Sequence, residues 1–179
     1  IGGDGDETFV RGTAGALVRR GLGALRIDLR GAGRSREISG IPLFHAGRTD
    51  DVRAALGWLA ERVARTHLVG FSLGGQLVLR TAGELGTSAP ASLRSITAIS
   101  PPLDLAASAR FTESALGTPY RKFIVAGLIA RTRPVASKLP PGVTLEPRKI
   151  RTIRDYDDRI VARCYGFRDF AGRGFVRHH

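Results

Sequence analysis

Apolar residues near the start of the chain recur at helical spacing. They fall on one face from Glu7 to Arg20, which predicts an amphipathic helix. Asp4 or Asp6 is the expected N-cap of this helix, because a carboxylate can accept a hydrogen bond from the free N–H groups of the first turn. Gly21 is the expected stop, since glycine readily adopts the backbone conformation that ends helices.

Helical and β-type patterns then alternate along the chain. An apolar stripe predicts a helix over residues 50–63, and a second helix over residues 74–85 is closed by Gly86. Short apolar runs of strand character cover residues 24–29, 66–71 and 95–100. Strands that alternate with helices favour a parallel sheet with right-handed crossovers, covered by helices on both faces.

The alternation stops after Pro101 and Pro102. Residues 1–103 are therefore predicted to form part of a sheet domain, and residues 104–179 a helical cap region. The apolar stretch Phe123–Ala130 in the cap leaves three interpretations open: a wall of an acyl-binding pocket that includes Phe123, a surface that touches lipid, or a helix packed on the sheet domain. Its eight residues fall short of the roughly 20 that span a bilayer.

Composition indicates a globular protein. The chain has 179 residues, of which 42% are hydrophobic, enough for one domain or most of one. It contains no methionine, and we expect it to begin inside a longer natural sequence. Cys164 is the single cysteine, so an internal disulfide is excluded. A reducing, cytoplasmic location is the corresponding expectation.

The formal charge of +12 raises the question of an anionic partner. The basic residues are mostly arginines scattered along the chain and are dense only from Arg121 to Arg177. A scattered pattern favours a compositional bias, and no nucleic-acid partner is expected. An arginine-rich cap that binds anionic lipid or nucleic acid is kept as the alternative from another class of protein.

No cofactor or metal is predicted. The run Gly31-Ala32-Gly33-Arg34-Ser35-Arg36 has an arginine where a dinucleotide-binding loop has its third glycine. The run Gly3-Asp4-Gly5-Asp6 lacks the spaced ligands of a calcium loop.

The strongest chemical signal is the run Gly70-Phe71-Ser72-Leu73-Gly74-Gly75. It fits the pattern G-x-S-x-G directly after a predicted strand and before a predicted helix, which is the context of a nucleophile elbow. Side chains at Gly70 or Gly74 are expected to collide with the neighbouring strand or helix. Ser72 is the candidate nucleophile, and the Leu73 N–H is a candidate oxyanion-hole donor. The Ile1-Gly2 region, just before the first helix, is the candidate for the second donor.

Several separated motifs together resemble one family. They are the strand and turn Leu25–Gly33, the loop His45-Ala46-Gly47, the elbow, and Arg154-Asp155-Tyr156-Asp157-Asp158 in the cap. The chain resembles the YheT-type α/β-hydrolases, a group that includes bacterial esterase-like proteins and eukaryotic medium-chain ester synthase/esterases. The resemblance implies the α/β-hydrolase fold, here without its first and last strands. It also implies a Ser-Asp-His triad, and an oxyanion loop whose last three positions match Ile1-Gly2-Gly3.

The resemblance places the triad aspartate and histidine after the cap, beyond His179. Among the histidines present, His67 begins the strand that leads to Ser72, so it lies roughly 16 Å away and is excluded as a direct partner; a structural role is expected for it. His45 is expected to order a loop or line the pocket. His178 and His179 are at an untethered end and are not assigned to catalysis.

The carboxylates are assigned structural roles. Asp104 is expected to cap the first cap helix, and Asp28 to pair with a nearby arginine. Three aspartates of the cap are expected to form a solvated network of ion pairs, namely Asp155, Asp157 and Asp158.

The expected function of the intact protein is hydrolysis of small esters with short to medium acyl chains through an acyl-enzyme on Ser72. Transfer of the acyl group to alcohols and peripheral contact with membranes are further expectations. The 179-residue chain alone is expected to be inactive, because two members of the triad are not in it. The natural substrate, the acyl acceptor and the oligomeric state are left open by the sequence.

Overall fold

The computed structural model describes residues 4–38, 43–45 and 47–166. The chain divides into two compact units: Gly2–His45, called the first unit, and Ile1 with Ala46–His179, called the second unit. The described helices of the first unit are α1 (Thr8–Val18) and α2 (Ser35–Ile38). The second unit contains α3 (Asp50–Ala60), β1 (Thr66–Phe71), α4 (Leu73–Leu85), β2 (Leu93–Ile99), α5 (Leu105–Glu113), α6 (Thr118–Thr132), α7 (Ile153–Tyr156) and α8 (Ala162–Tyr165).

Helix α1 lies inside the predicted range, but its predicted cap is wrong. The N-cap residue is Glu7, and its side chain makes no capping hydrogen bond. Asp4 instead uses its carboxylate locally, accepting a hydrogen bond of 2.9 Å from the backbone N–H of Asp6. Aspartate commonly makes this contact with the residue two positions ahead, and the contact places Asp4 in the turn before the helix.

The segment 24–29 differs from its prediction, since the structure assigns it neither strand nor helix. A strand requires hydrogen bonds to a neighbouring strand, and the described part of this unit contains no strand with which the segment could pair. Side chains hold the segment instead. The Asp28 carboxylate accepts hydrogen bonds from the backbone N–H groups of Gly5, at 2.7 Å, and Arg34, at 3.2 Å. Asp28 is therefore structural as expected, although it binds the backbone of Arg34.

The described sheet of the second unit consists of two parallel strands, β1 and β2. Their bounds lie within two residues of the predicted ones. Thr66 pairs with Leu93 and His67 pairs with Ser95, so one residue of β2 bulges out at the start of the ladder. From there the register is regular, and Phe71 lies opposite Ile99 at the carboxyl end.

Helix α4 packs against both strands, and α3 packs against α4 and β1. Val52 and Leu56 of α3 and Leu77 and Val78 of α4 are buried, because their apolar spacing places them on the inward faces of the two helices. The sequence predicts a sheet covered by helices on both faces, but the face of the strands away from α4 is not fully covered. Alternate residues of β1, such as Val69, remain exposed in the described structure.

Described residues beyond β2 form helices and loops, as the pattern predicts. Helices α6 and α7 pack together, and the hydroxyl groups of Thr132 and Tyr156 share a buried hydrogen bond of 2.8 Å. Residues Asp157–Val161 form one π-helical turn, with Ile160 fully buried. Within the described ranges, no helix has the length and apolar character needed to cross a bilayer.

Candidate active site

Ser72 lies at the sharp turn between β1 and α4. Its backbone has φ 49° and ψ −123°, a conformation that costs a non-glycine residue about 1–3 kcal/mol. Its N–H donates a hydrogen bond of 2.9 Å to the carbonyl of Ile99, and its own carbonyl accepts one of 3.1 Å from Gln76 in the first turn of α4. The serine is thus held between the neighbouring strand and the following helix.

Gly70 is required by the tightness of this turn. A Cβ atom at this position would lie 2.3 Å from the carbonyl oxygen of Gly74, which is closer than any real contact. The corresponding expectation for Gly74 is wrong, because a Cβ there would meet nothing within 4 Å. The second tight glycine is Gly75, whose Cβ would lie 3.1 Å from the Gly70 oxygen and 3.2 Å from Cβ of Pro101. The crowding arises because the backbone of α4 crosses directly over the end of β1.

Leu73 is the first residue of α4. The N–H groups of a first helical turn have no partner inside the helix and carry partial positive charge. The Leu73 N–H is therefore suited to bind an anionic oxygen next to Ser72. The other predicted oxyanion residues, Ile1 and Gly2, lie outside the described residues.

A second serine with an unusual backbone lies beside the elbow. Ser100 follows β2 directly and has φ 48°. Because Phe71 and Ile99 are paired in register, Ser72 and Ser100 occupy equivalent positions at the ends of adjacent strands. They are the two non-glycine residues with positive φ in the described chain. Ser100 is not among the site residues predicted from sequence, although its position between an apolar strand and Pro101 could have indicated a sharp turn.

The histidines divide into placed and unplaced ones. His67 is at the start of β1, and its Nδ1 makes a 2.8 Å hydrogen bond with the Ser95 hydroxyl across the sheet, which agrees with the structural role predicted for it. His45 is half-buried at the end of the first unit, and its role in loop order or pocket lining stays a prediction. His178 and His179 lie outside the described residues.

Two carboxylates of the cap region, Asp104 and Asp155, cap helices. Asp104 is the N-cap of α5 and accepts a hydrogen bond of 2.8 Å from the N–H of Ala107, as predicted. Asp155 forms a reciprocal capping box with Thr152 at the start of α7. Burial opposes ionisation of Asp155, but hydrogen bonds from the backbone of Arg151 and from Thr152 lower its pKa below the ordinary value. Asp155 therefore acts mainly as a helix-capping group and not as the ion-pair partner predicted for it, although the charge of Arg159 also lowers its pKa.

Asp157 also departs from that prediction. Burial of its carboxyl group, with a smaller contribution from the charge of Asp158, raises its pKa from 3.8 to about 7. Both causes disfavour the ionised form. Asp157 is half-buried at the start of the π-helical turn, and its carboxyl group favours the protonated form more than a solvated partner in an ion pair would.

Two further features bear on ligands. The described residues contain no group of three or more histidine, cysteine, aspartate or glutamate side chains that could hold a metal ion. Phe123, predicted as a pocket residue, is 70% exposed on α6. A surface depression of about 370 Å³ is lined by residues 146–149 and by no elbow residue.

Comparison with known proteins places this chain in a family. A family model described as "Alpha/beta hydrolase family" matches residues 4–177. The chain belongs to the alpha/beta hydrolase family. The resemblance to its YheT-type members is confirmed by "Putative esterase YheT" of Escherichia coli (strain K12), which is 27% identical over 174 residues, covering 92% of this chain and 49% of that protein. The chain thus spans about half the length of this curated relative. No solved structure matches significantly.

Proposed function

We propose that Ser72 is the nucleophile of a serine esterase and that this chain supplies the nucleophile half of its active site. The observation that supports the proposal best is the backbone of Ser72, held at φ 49° and ψ −123° between β1 and α4. Strain of this kind persists where the surrounding structure enforces it, and it is concentrated at functional sites. The family and the name of the curated relative point to the same chemistry.

In the proposed reaction, the Ser72 Oγ attacks the carbonyl carbon of an ester while a histidine base removes its proton. The carbonyl oxygen becomes an oxyanion, and the Leu73 N–H donates a hydrogen bond to it. Collapse of this intermediate expels the alcohol, which takes the proton from the base and leaves an acyl group on Ser72. Water or a second alcohol then attacks the acyl-enzyme and regenerates the serine.

The base and its orienting aspartate are proposed to follow the cap, as the family resemblance implies. Ile1 and Gly2 are the proposed second source of oxyanion donors, and His45 and Phe123 the proposed pocket residues. Acyl chains of short to medium length, transfer to alcohols, and a cytoplasmic location are carried as proposals on the same basis. The 179-residue chain alone is proposed to lack turnover, because a lone serine hydroxyl is a weak nucleophile.

The test uses a fluorophosphonate probe together with p-nitrophenyl butyrate and octanoate. A protein that extends this chain through a family-type aspartate and histidine is expected to be labelled at Ser72 and to hydrolyse both esters. The Ser72→Ala variant should lose the label and the turnover. Ser100→Ala is the matched control, because Ser100 has the same unusual φ one strand away. Labelling at another residue, or turnover that survives Ser72→Ala, would refute the proposal.

A further inference from the structure

Large apolar side chains are exposed around the turn between α5 and α6. Phe111 is 58% exposed, Leu116 86%, Tyr120 51% and Phe123 70%. We call these four residues the α5–α6 face. Single exposed apolar residues are ordinary on protein surfaces, but several large ones close together mark an interaction surface.

The turn between α5 and α6 is tight. The backbone at Gly117 approaches α5 so closely that a Cβ there would lie 2.1 Å from the carbonyl oxygen of Phe111. Phe111 and Leu116 therefore flank one tight turn. Leu116 lies in the turn just before α6, and Tyr120 and Phe123 are three residues apart within α6, which is the spacing of neighbours on one side of a helix.

The inward side of α6 is already occupied. Ile124 and Val125 are buried, and Arg121 extends back to donate a hydrogen bond of 3.2 Å to the carbonyl of Thr112. Tyr120 and Phe123 are thus on the part of α6 that remains exposed after the helix has packed on its own unit.

The charge around this face is positive. Residues 105–123 contain three basic residues, Arg110, Arg121 and Lys122, and a single acidic one, Glu113. Glu113 is within 3.6 Å of Arg154, so its charge is partly offset. Arg110 and Lys122 are exposed beside the apolar residues. Aromatic and aliphatic side chains bordered by exposed cations form the pattern by which proteins lie on anionic membrane surfaces.

We propose that the α5–α6 face docks on an anionic lipid surface. The apolar side chains of Leu116, Tyr120 and Phe123 insert among the lipid headgroups, and Arg110 and Lys122 contact the lipid phosphates and carboxylates. The proposal goes beyond esterase activity, and Ser72 is not among the docking residues. Phe123 is also a proposed pocket residue, so Leu116→Glu is the variant that tests docking independently of the esterase site.

The test measures co-sedimentation of the 179-residue chain with vesicles of phosphatidylcholine alone and with vesicles in which about a third of the lipid is phosphatidylserine. Binding is expected to the anionic vesicles only and to weaken with added salt. Leu116→Glu and Phe123→Glu should each lower the partition coefficient at least about tenfold, since each replaces an inserted apolar group by a charge that anionic lipid repels. Lys122→Gln should lower it about fivefold.

Matched variants separate this proposal from its alternatives. Val63→Glu alters another exposed apolar residue, outside the α5–α6 face, and should keep binding. Ser72→Ala should also bind, so a failure of the esterase proposal leaves this result unaffected. Absence of binding to anionic vesicles, or binding unchanged in both glutamate variants, would overturn it. So would a dimer in light scattering that Phe123→Glu dissociates, because a second copy would then occupy the face.

Discussion

The N–H of Ser72 is hydrogen-bonded to the carbonyl of Ile99 at 2.9 Å. This bond extends the ladder of parallel strands one residue beyond the Phe71–Ile99 pair. The backbone of the candidate nucleophile is consequently positioned by β2 before any substrate binds. Such pre-organisation matters in catalysis, because a small displacement of a reacting group lowers the rate considerably.

The elbow glycines provide a matched pair of variants. Gly70→Ala would place a Cβ 2.3 Å from the Gly74 carbonyl oxygen, and we expect a loss of about 2–3 kcal/mol in the free energy of unfolding, typical of severe overpacking. Gly74→Ala meets open space in α4 and should be neutral or stabilising by up to about 1 kcal/mol, because alanine favours helix. Urea unfolding of both variants measures the difference. Equal stabilities would contradict the geometry of the turn.

Replacing Ser100 by glycine should stabilise the protein. Its φ of 48° is unfavourable for a residue with a side chain, whereas glycine adopts it without steric cost. We expect Ser100→Gly to raise the free energy of unfolding by about 1 kcal/mol, after allowance for the greater freedom of glycine in the unfolded chain. Ser100→Val should lower it, since β-branched residues tolerate this region poorly. Thermal unfolding of the two variants is the measurement.

The raised pKa of Asp157 predicts a pH dependence of stability. In the folded protein the pKa of its carboxyl group is about 7, compared with an ordinary value of 3.8. The group therefore stays neutral to a higher pH in the folded protein than in the unfolded chain. Its contribution to stability is therefore fully present below pH 3.8 and is lost as the pH rises through about 7. Asp157→Asn should raise the melting temperature near neutral pH and above, and change it little in acid.

The control for that prediction is Asp158→Asn, which removes the neighbouring charge but keeps the buried acid. It should reduce the pH dependence only slightly, because burial is the larger cause of the shift. If the melting temperature of Asp157→Asn equals that of the parent protein at every pH, the folded protein does not raise the pKa of Asp157.

Asp104 is predicted to act through helix α5 only. Asp104→Ala removes the hydrogen bond to the Ala107 N–H and should lower the free energy of unfolding by about 1 kcal/mol. Asp104→Asn should retain most of that stability, because asparagine caps helices about as well as aspartate. Neither change should abolish fluorophosphonate labelling of Ser72 in the longer protein. Loss of labelling in a folded Asp104→Asn variant would instead make Asp104 part of the catalytic machinery.

The sharp turn between β1 and α4 could be predicted from sequence because its constraints are local. A glycine, a serine and a helix start within a few residues define the turn at Ser72, and an apolar stripe defines α4 directly after it. The assignment of the tight glycine to Gly74 failed for a tertiary reason. Whether a Cβ fits depends on Pro101 and on the path of α4, and neither is visible in the motif itself.

The structure of segment 24–29 and the roles of the cap carboxylates also depend on tertiary packing that the sequence pattern does not show. Strand-type composition at 24–29 does not by itself supply a neighbour to pair with. Whether Asp155 and Asp157 form ion pairs, cap a helix or become buried depends on how α7 and the π-helical turn pack. Charge and spacing alone favour the solvated interpretation, so the raised pKa of Asp157 could emerge only from the fold.

Because of the bulge between Thr66 and His67, the two ends of the sheet should differ in how well they tolerate inserted residues. One extra residue of β2 is already absorbed there, at the end of the strands remote from Ser72. Natural insertions, or engineered ones, near Arg94 can be accommodated by moving the bulge without shifting the pairs beyond it. An added residue between His67 and Ser72 would invert the side chains up to the elbow and displace the serine. The number of residues should therefore vary freely near Arg94 and remain fixed between His67 and Ser72.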